Sequence, residues 1–230
     1  MITCSVCGTH NNDLALKCSS CRSFLQSKID TLDLFQTLWQ LIESPGVAFK
    51  RIVLATHKNY VILLSSLSGI GFVYAVLWYK SLGFQFANVL TLTGTGLVIG
   101  PPVGILFTLA LSALLTQLAK IFRWHVSFRS VFAVVAYASG PILFSLVFIF
   151  PLEIAIFGLD FFGQNPSPMV IKPVVYIMLL GFDALAAVWS LLLLVVGVSV
   201  AAGTTRLQSL LLMGIVCALF GGIALSLGLV

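Results

Sequence analysis

Residues 131 to 150, VFAVVAYASGPILFSLVFIF, make an uninterrupted apolar run with Tyr137 and Pro141 near its middle. At about 1.5 Å of rise per residue, roughly twenty helical residues cross a hydrocarbon core of about 30 Å. Comparable runs recur along the chain, and the pattern predicts five spans, at roughly residues 59 to 79, 96 to 119, 130 to 157, 174 to 201 and 207 to 229. Pro141 lacks a backbone donor and its ring crowds the carbonyl of Tyr137, so the third span is expected to kink there. Lipid offers no donor for the freed carbonyl. A neighbouring helix or the hydroxyls of Tyr137 and Ser139 must supply one, which puts this span inside a bundle.

The pattern ahead of the spans is different. From Asp30, read as a cap with Asp33 in the first turn, Leu34, Phe35, Leu38, Trp39, Leu41 and Ile42 form one broad apolar face of a helix that Ser44-Pro45-Gly46 ends. A second amphipathic segment sets Phe49, Ile52 and Val53 against Lys50, Arg51 and Lys58. Both segments fit packing on the bundle or lying in the membrane interface. The expected divisions are a ribbon over residues 1 to 26, amphipathic helices over 30 to 58 and a five-span domain over 59 to 230.

Composition excludes a soluble domain, since 60% of the 230 residues are hydrophobic and 8% charged, with a mean hydropathy of +1.12. The fold class is an all-α polytopic membrane protein. Its net charge of +5 reports loop placement and implies no nucleic acid. Of the 12 Lys and Arg, six precede the first span (Lys17, Arg22, Lys28, Lys50, Arg51, Lys58) and three lie in the second loop (Lys120, Arg123, Arg129), against one in each other loop. That alternation predicts a cytoplasmic N-terminus and places Val230 outside.

The polar start, MITCSVCGTHNNDLALKCSSCRSF, carries Cys4, Cys7, Cys18 and Cys21 as two Cys-x2-Cys pairs. No signal peptide precedes them, from which a reducing compartment is expected, where four close thiols read as ligands of a structural zinc rather than as disulfides. Gly8 permits the tight turn after Cys7. A redox pair lacks the strand-helix context it needs, and four thiolates leave no open position for catalysis. His10, beside Asn11 and Asn12, reads as solvated, and Cys217 as small packing.

Acids at membrane depth are the candidate intramembrane polar site: Glu153 late in the third span and Asp183 well inside the fourth, with Asp160 just beyond the third. A carboxylate at a helix centre costs about 2.5–3.5 kcal/mol on insertion scales, so it faces a polar interior, as a proton or cation site or as a hydrogen-bonded packing acid. Gly96, Gly100 and Gly104 offer one close-packing ridge and Gly214, Ala218 and Gly222 another, although Pro101-Pro102 equally suits a local break. The GTG of residues 94 to 96 lacks the context of a phosphate loop. His10, His57 and His125 join no catalytic arrangement, and Arg123, His125 and Arg129 make a short basic loop that serves as a topology signal or meets lipid phosphates.

CSVCG, the Asn11-Asn12 turn and CSSCR resemble the zinc ribbons heading many prokaryotic membrane proteins, which serve as binding or tethering modules; Arg22 stands where those families carry glycine. SPGVAFKRI, AYASGPIL and VWSLLLLVVGVSVAAGTT resemble the five-span Yip family, named for interaction with Ypt and Rab GTPases, over about residues 36 to 225. Tyr137 and Pro141 match its Gly-Tyr-x3-Pro pattern with Ala136 for the glycine, and the acidic Asp-Leu-Tyr-Gly-Pro motif is absent. The resemblance, closest to the prokaryotic Yip-domain proteins, implies a non-catalytic multi-pass protein of a prokaryotic cytoplasmic membrane. Its ribbon would meet a cytoplasmic protein partner and its bundle would anchor or organise membrane, with homo-oligomers allowed. The alternative is an ion- or proton-coupled transporter using Asp183 and Glu153.

Overall fold

A computed structural model describes residues 2–12, 14–27 and 29–226, with side chains described as far as residue 219. The chain is mainly helical. A hairpin of β1 (Ile2–Thr3) and β2 (His10–Asn11) leads to α1 (Leu34–Glu43) and α2 (Pro45–Leu54). Then come α3 (Val61–Tyr79), α4 (Val89–Ile121), a long segmented stretch from Phe128 to Phe162, the short α8 (Pro168–Ile171), α9 (Pro173–Ala202) and α10 (Arg206–Ser226). Four stretches are long and apolar enough to cross a membrane, and α10 contributes a shorter apolar helix over Arg206–Leu219. The five expected spans therefore correspond to these helices, with the second beginning nearer residue 89 and the third running on to 162. Lys28 and residues 227 to 230, invoked for the topology and the last span, lie outside the described residues.

The third stretch is broken where its sequence demands. It consists of α5 (Phe128–Ala138), α6 (Gly140–Phe144), a π-helical turn (Ser145–Ile149), α7 (Phe150–Phe157) and a 3-10 turn (Gly158–Phe162). Pro141 sits in the first turn of α6, and the Ser139 hydroxyl donates to the Ala136 carbonyl at 2.7 Å, one residue before the Tyr137 carbonyl for which it was expected. Tyr137 is completely buried, as a bundle position requires.

The described residues divide into two compact units. The first comprises residues 1 to 59, 112 to 135 and 193 to 226. In it Asp33, rather than Asp30, caps α1, its carboxylate accepting from the Gln36 N–H at 2.8 Å. Asp30 is held in an extended pairing instead, its carbonyl accepting from the His57 N–H, while Ile29 pairs with Ala55. Ser44 ends α1, and Pro45 begins α2 at once, as a proline in a first turn permits. Phe49 and Ile52 of α2 are fully buried, and a methyl on Gly197 would collide with the Phe49 ring and Val134. By contrast Phe35, Trp39 and Ile42 of α1 are 82%, 63% and 61% exposed.

The second unit comprises residues 60 to 111 and 136 to 192. Gly96, Gly100 and Gly104 of α4 pack on α3: Gly96 against the Tyr74 ring, Gly100 against Ile70, and Gly104 against the Ser65 carbonyl and Gly69. Helix α4 runs unbroken through Pro101 and Pro102, so the ridge is a packing stripe and no local break occurs. The second stripe behaves differently, because Gly214 and Ala218 are exposed, a methyl at Gly214 would meet nothing, and Gly222 lies beyond the described side chains. Cys217 is exposed rather than packed. An aromatic cluster of Tyr74, Phe150, Phe157, Phe161, Phe162 and Tyr176 fills one end of the second unit's core.

Candidate metal centre and intramembrane polar cluster

The two cysteine knuckles are built alike. After Cys4 and Cys7, the Gly8 N–H donates to the Cys4 carbonyl (2.9 Å) and the Cys4 N–H to the Thr9 carbonyl (3.0 Å). After Cys18 and Cys21, the Arg22 N–H donates to the Cys18 carbonyl (3.1 Å) and the Cys18 N–H to the Ser23 carbonyl (2.9 Å). Gly8 and Arg22 both adopt left-handed backbone, at φ 70° and 58°. Arg22 thus performs the turn that glycine makes in the first knuckle.

These turns aim the four sulfurs at one point, all within 4.8 Å of one another. Cys4 and Cys21 lie 3.6 Å apart, and Cys7 and Cys18 3.5 Å. A tetrahedron with metal–sulfur bonds of about 2.3 Å has sulfur–sulfur edges of about 3.8 Å, so the four cysteines fit and could hold a metal ion. His10 stands apart with its ring nitrogen on the Thr3 hydroxyl (3.1 Å). Buried Asn11 ties the knuckles together: its amide donates to the Thr9 carbonyl (2.9 Å) and reaches the Cys18 sulfur (3.5 Å), while its oxygen accepts from the Ser19 N–H (2.8 Å). The Ser23 hydroxyl lies 3.0 Å from both Cys4 and Cys21, and the Thr9 hydroxyl 3.3 Å from Cys7. The Ser23 hydroxyl, then the backbone N–H groups of Cys7 and Val6, pull the Cys4 thiol down to about 6, and the Cys21 N–H and other donors lower Cys18. Neither hydroxyl was singled out from sequence, yet the repeat CSVCGT and CSSCRS signals both.

Asp183 and Glu153 come together. The Ser145 hydroxyl donates to Asp183 Oδ1, and the side chain of Glu153 lies within hydrogen-bonding reach of Asp183. Glu153 is 2% exposed, and its Oε1 has no hydrogen-bond partner among the described residues. Asp160 lies apart in the following 3-10 turn, its carbonyl accepting from the Gly163 N–H.

Of the basic-loop candidates, Arg123 and His125 are exposed, and Arg129 donates to the Thr56 carbonyl at 2.8 Å. Lys58 closes the end of α2 by donating to the carbonyls of Ile52 (2.7 Å) and Val53 (3.1 Å). Burial, and then the charge of Arg129, bring Lys58 down to about 8.

The helices bare large apolar side chains outward, among them Leu90, Val98, Leu106, Val174 and Leu185. With their length, these surfaces define a multi-pass membrane protein in contact with lipid, headed by a four-cysteine knuckle pair. A family model for the Yip1 domain matches residues 39–228, and the chain belongs to that family. No match is found among curated proteins. None is found among solved structures.

Proposed function

We propose that this Yip1-domain protein is a non-catalytic membrane organiser whose ribbon, folded by one structural zinc, is a cytoplasmic protein-interaction module. The observation that carries this reading is the closed four-sulfur site on a segment with almost no apolar core of its own. Such a site has no open position for chemistry, so its metal supplies folding free energy and a rigid surface. The excess of Lys and Arg before α3 and around the turn from α4 to α5 (Lys120, Arg123 and Arg129) favours the cytoplasmic side for the ribbon. Helix α1 would lie in the membrane interface between ribbon and spans, through Phe35, Trp39 and Ile42.

The test is zero-length crosslinking in native membranes, comparing wild type with Cys4→Ser/Cys18→Ser. The double variant is expected to insert normally, to lose its zinc by elemental analysis, and to lose crosslinks that wild type makes to a defined cytoplasmic protein. Identical crosslinks in both proteins would refute the interaction role, and full zinc retention would refute the ligand assignment.

A further inference from the structure

Two carboxyl groups and a hydroxyl meet in the second unit, Glu153 buried and Ser145 and Asp183 half-buried, and one turn of unusual backbone arranges them. In a regular helix, residues eight apart stand about 80° apart around the axis, at roughly 100° per residue. Ser145 and Glu153 are separated by such an interval, which would set them on different faces. The π-helical turn over Ser145–Ile149 absorbs about one extra residue, so that the pair behaves as though seven apart and falls within roughly 20° of one face. Both then reach the same residue of α9, Asp183.

The cluster is supplied with acceptors beyond its donors. Asp183 receives the Ser145 hydroxyl and the Glu153 carboxyl lies beside it, and two adjacent carboxyl groups away from water hold one proton between them in preference to carrying two charges. Glu153 Oε1, almost entirely removed from solvent, receives nothing from the described residues. A buried oxygen without a donor loses its hydration uncompensated, and the cost is greater when the group is charged. Asp183 is the ionisable group set beside Glu153 among the described residues. Tyr74 of the flanking α3 is committed elsewhere, donating its hydroxyl to the Thr93 carbonyl (2.8 Å). What such a cluster lacks is a cation.

We propose that Ser145, Glu153 and Asp183 form a site for a small hard monovalent cation, bound in exchange for the proton that the two carboxyl groups share. The donors are all oxygen, which selects hard ions over thiophilic ones. The exchange is balanced: the singly protonated pair carries one negative charge, and pair-H plus Na⁺ gives pair-Na plus H⁺ with that charge unchanged. No additional charge is therefore brought to membrane depth, where each is costly. The site is independent of the ribbon and of its metal.

The experiment uses the purified full chain in detergent, in weakly buffered solution with a pH indicator, titrated with NaCl and separately with CaCl2 against matched choline chloride. Wild type is expected to release up to about one proton per chain in a saturable step that choline does not produce. Glu153→Gln and Asp183→Asn, each confirmed folded by circular dichroism, are expected to abolish the release, and Ser145→Ala to weaken the apparent affinity about tenfold. Absence of sodium-dependent release from folded wild type overturns the proposal whether or not the Gln and Asn variants fold. Undiminished release from those variants overturns it too, as does release with CaCl2 but none with NaCl.

Discussion

Gly8 and Arg22 hold the same place in the two knuckles, each donating its N–H to the carbonyl of the cysteine four residues before it, each with positive φ. Glycine occupies that backbone freely; a residue with a Cβ does so at a cost of about 1–2 kcal/mol. The second knuckle is therefore strained where the first is not. Arg22→Gly is expected to stabilise the metal-loaded ribbon, by up to about 1 kcal/mol once the extra freedom of glycine in the unfolded chain is subtracted. Gly8→Ala is expected to destabilise it by about 1 kcal/mol. Chelator competition followed by circular dichroism reads both, and equal midpoints for the two variants would contradict the strain argument.

Acidification should release the metal. In the folded ribbon the Ser23 hydroxyl, with the N–H groups of Cys7 and Val6, brings Cys4 from its ordinary 9.0 to about 6. A folded-state value below the unfolded one means that the thiolate's stabilisation is complete above about 9 and is lost as pH falls through about 6. Metal competes with protons for these thiolates, so it should be retained at neutral pH and released by acid at a pH below the metal-free value of about 6. Ser23→Ala, which removes the leading cause, should move the loss to higher pH. Elemental analysis after equilibration across a pH series would show it, and retention unaltered by Ser23→Ala would remove that hydroxyl from the account.

How much of this was legible in the sequence depends on how local each signal is. The knuckles are local, so cysteine spacing was enough to foresee the cluster, and the Pro141 break likewise follows from one residue and its neighbours. The α1 cap was misplaced because Asp30 and Asp33 have equal capping chemistry. The pairing of residues 29 and 30 with 55 to 57, which holds Asp30 extended, is not visible along the chain. Glu153 and Asp183 were legible as isolated acids, but Ser145 was not, because regular helical spacing turns it away from Glu153 and only the π-helical turn brings it back. Pro101-Pro102 suggested a break that the close contact of Gly100 and Gly104 with α3 shows to be absent.

That contact makes its own prediction. A side chain at Gly104 would overlap the Ser65 carbonyl and the Gly69 backbone, neither of which can swing aside as a flexible side chain could. Gly104→Val is expected to cost about 3 kcal/mol of stability in detergent, the upper range for overpacking. At Gly94, on the same helix, an added methyl group would meet nothing within 4 Å. Gly94→Ala should therefore be neutral or gain up to about 1 kcal/mol through helix propensity. Thermal unfolding of both variants decides the matter, because a general intolerance of α4 to larger residues would depress both.

Helix α1 presents Phe35, Trp39 and Ile42 at intervals of four and three residues, hence on one face, while Thr37 and Leu41 are buried on another. The exposed face is too apolar to be left in water without cause. Trp39 nevertheless keeps its indole N–H on a polar partner, the Glu43 carboxylate at 2.8 Å. An apolar ring with a satisfied polar edge suits the headgroup boundary, neither bulk water nor the hydrocarbon centre. In a chain whose Trp78, Trp124 and Trp189 are replaced by phenylalanine, the fluorescence of Trp39 should be quenched in reconstituted vesicles. Lipids brominated near the headgroup should quench it more strongly than lipids brominated near the chain ends. Phe35→Ser with Ile42→Ser should reduce that quenching while leaving α1 capped by Asp33 and packed through Leu41. Emission indifferent to bromine at any depth would place this face against protein instead of lipid.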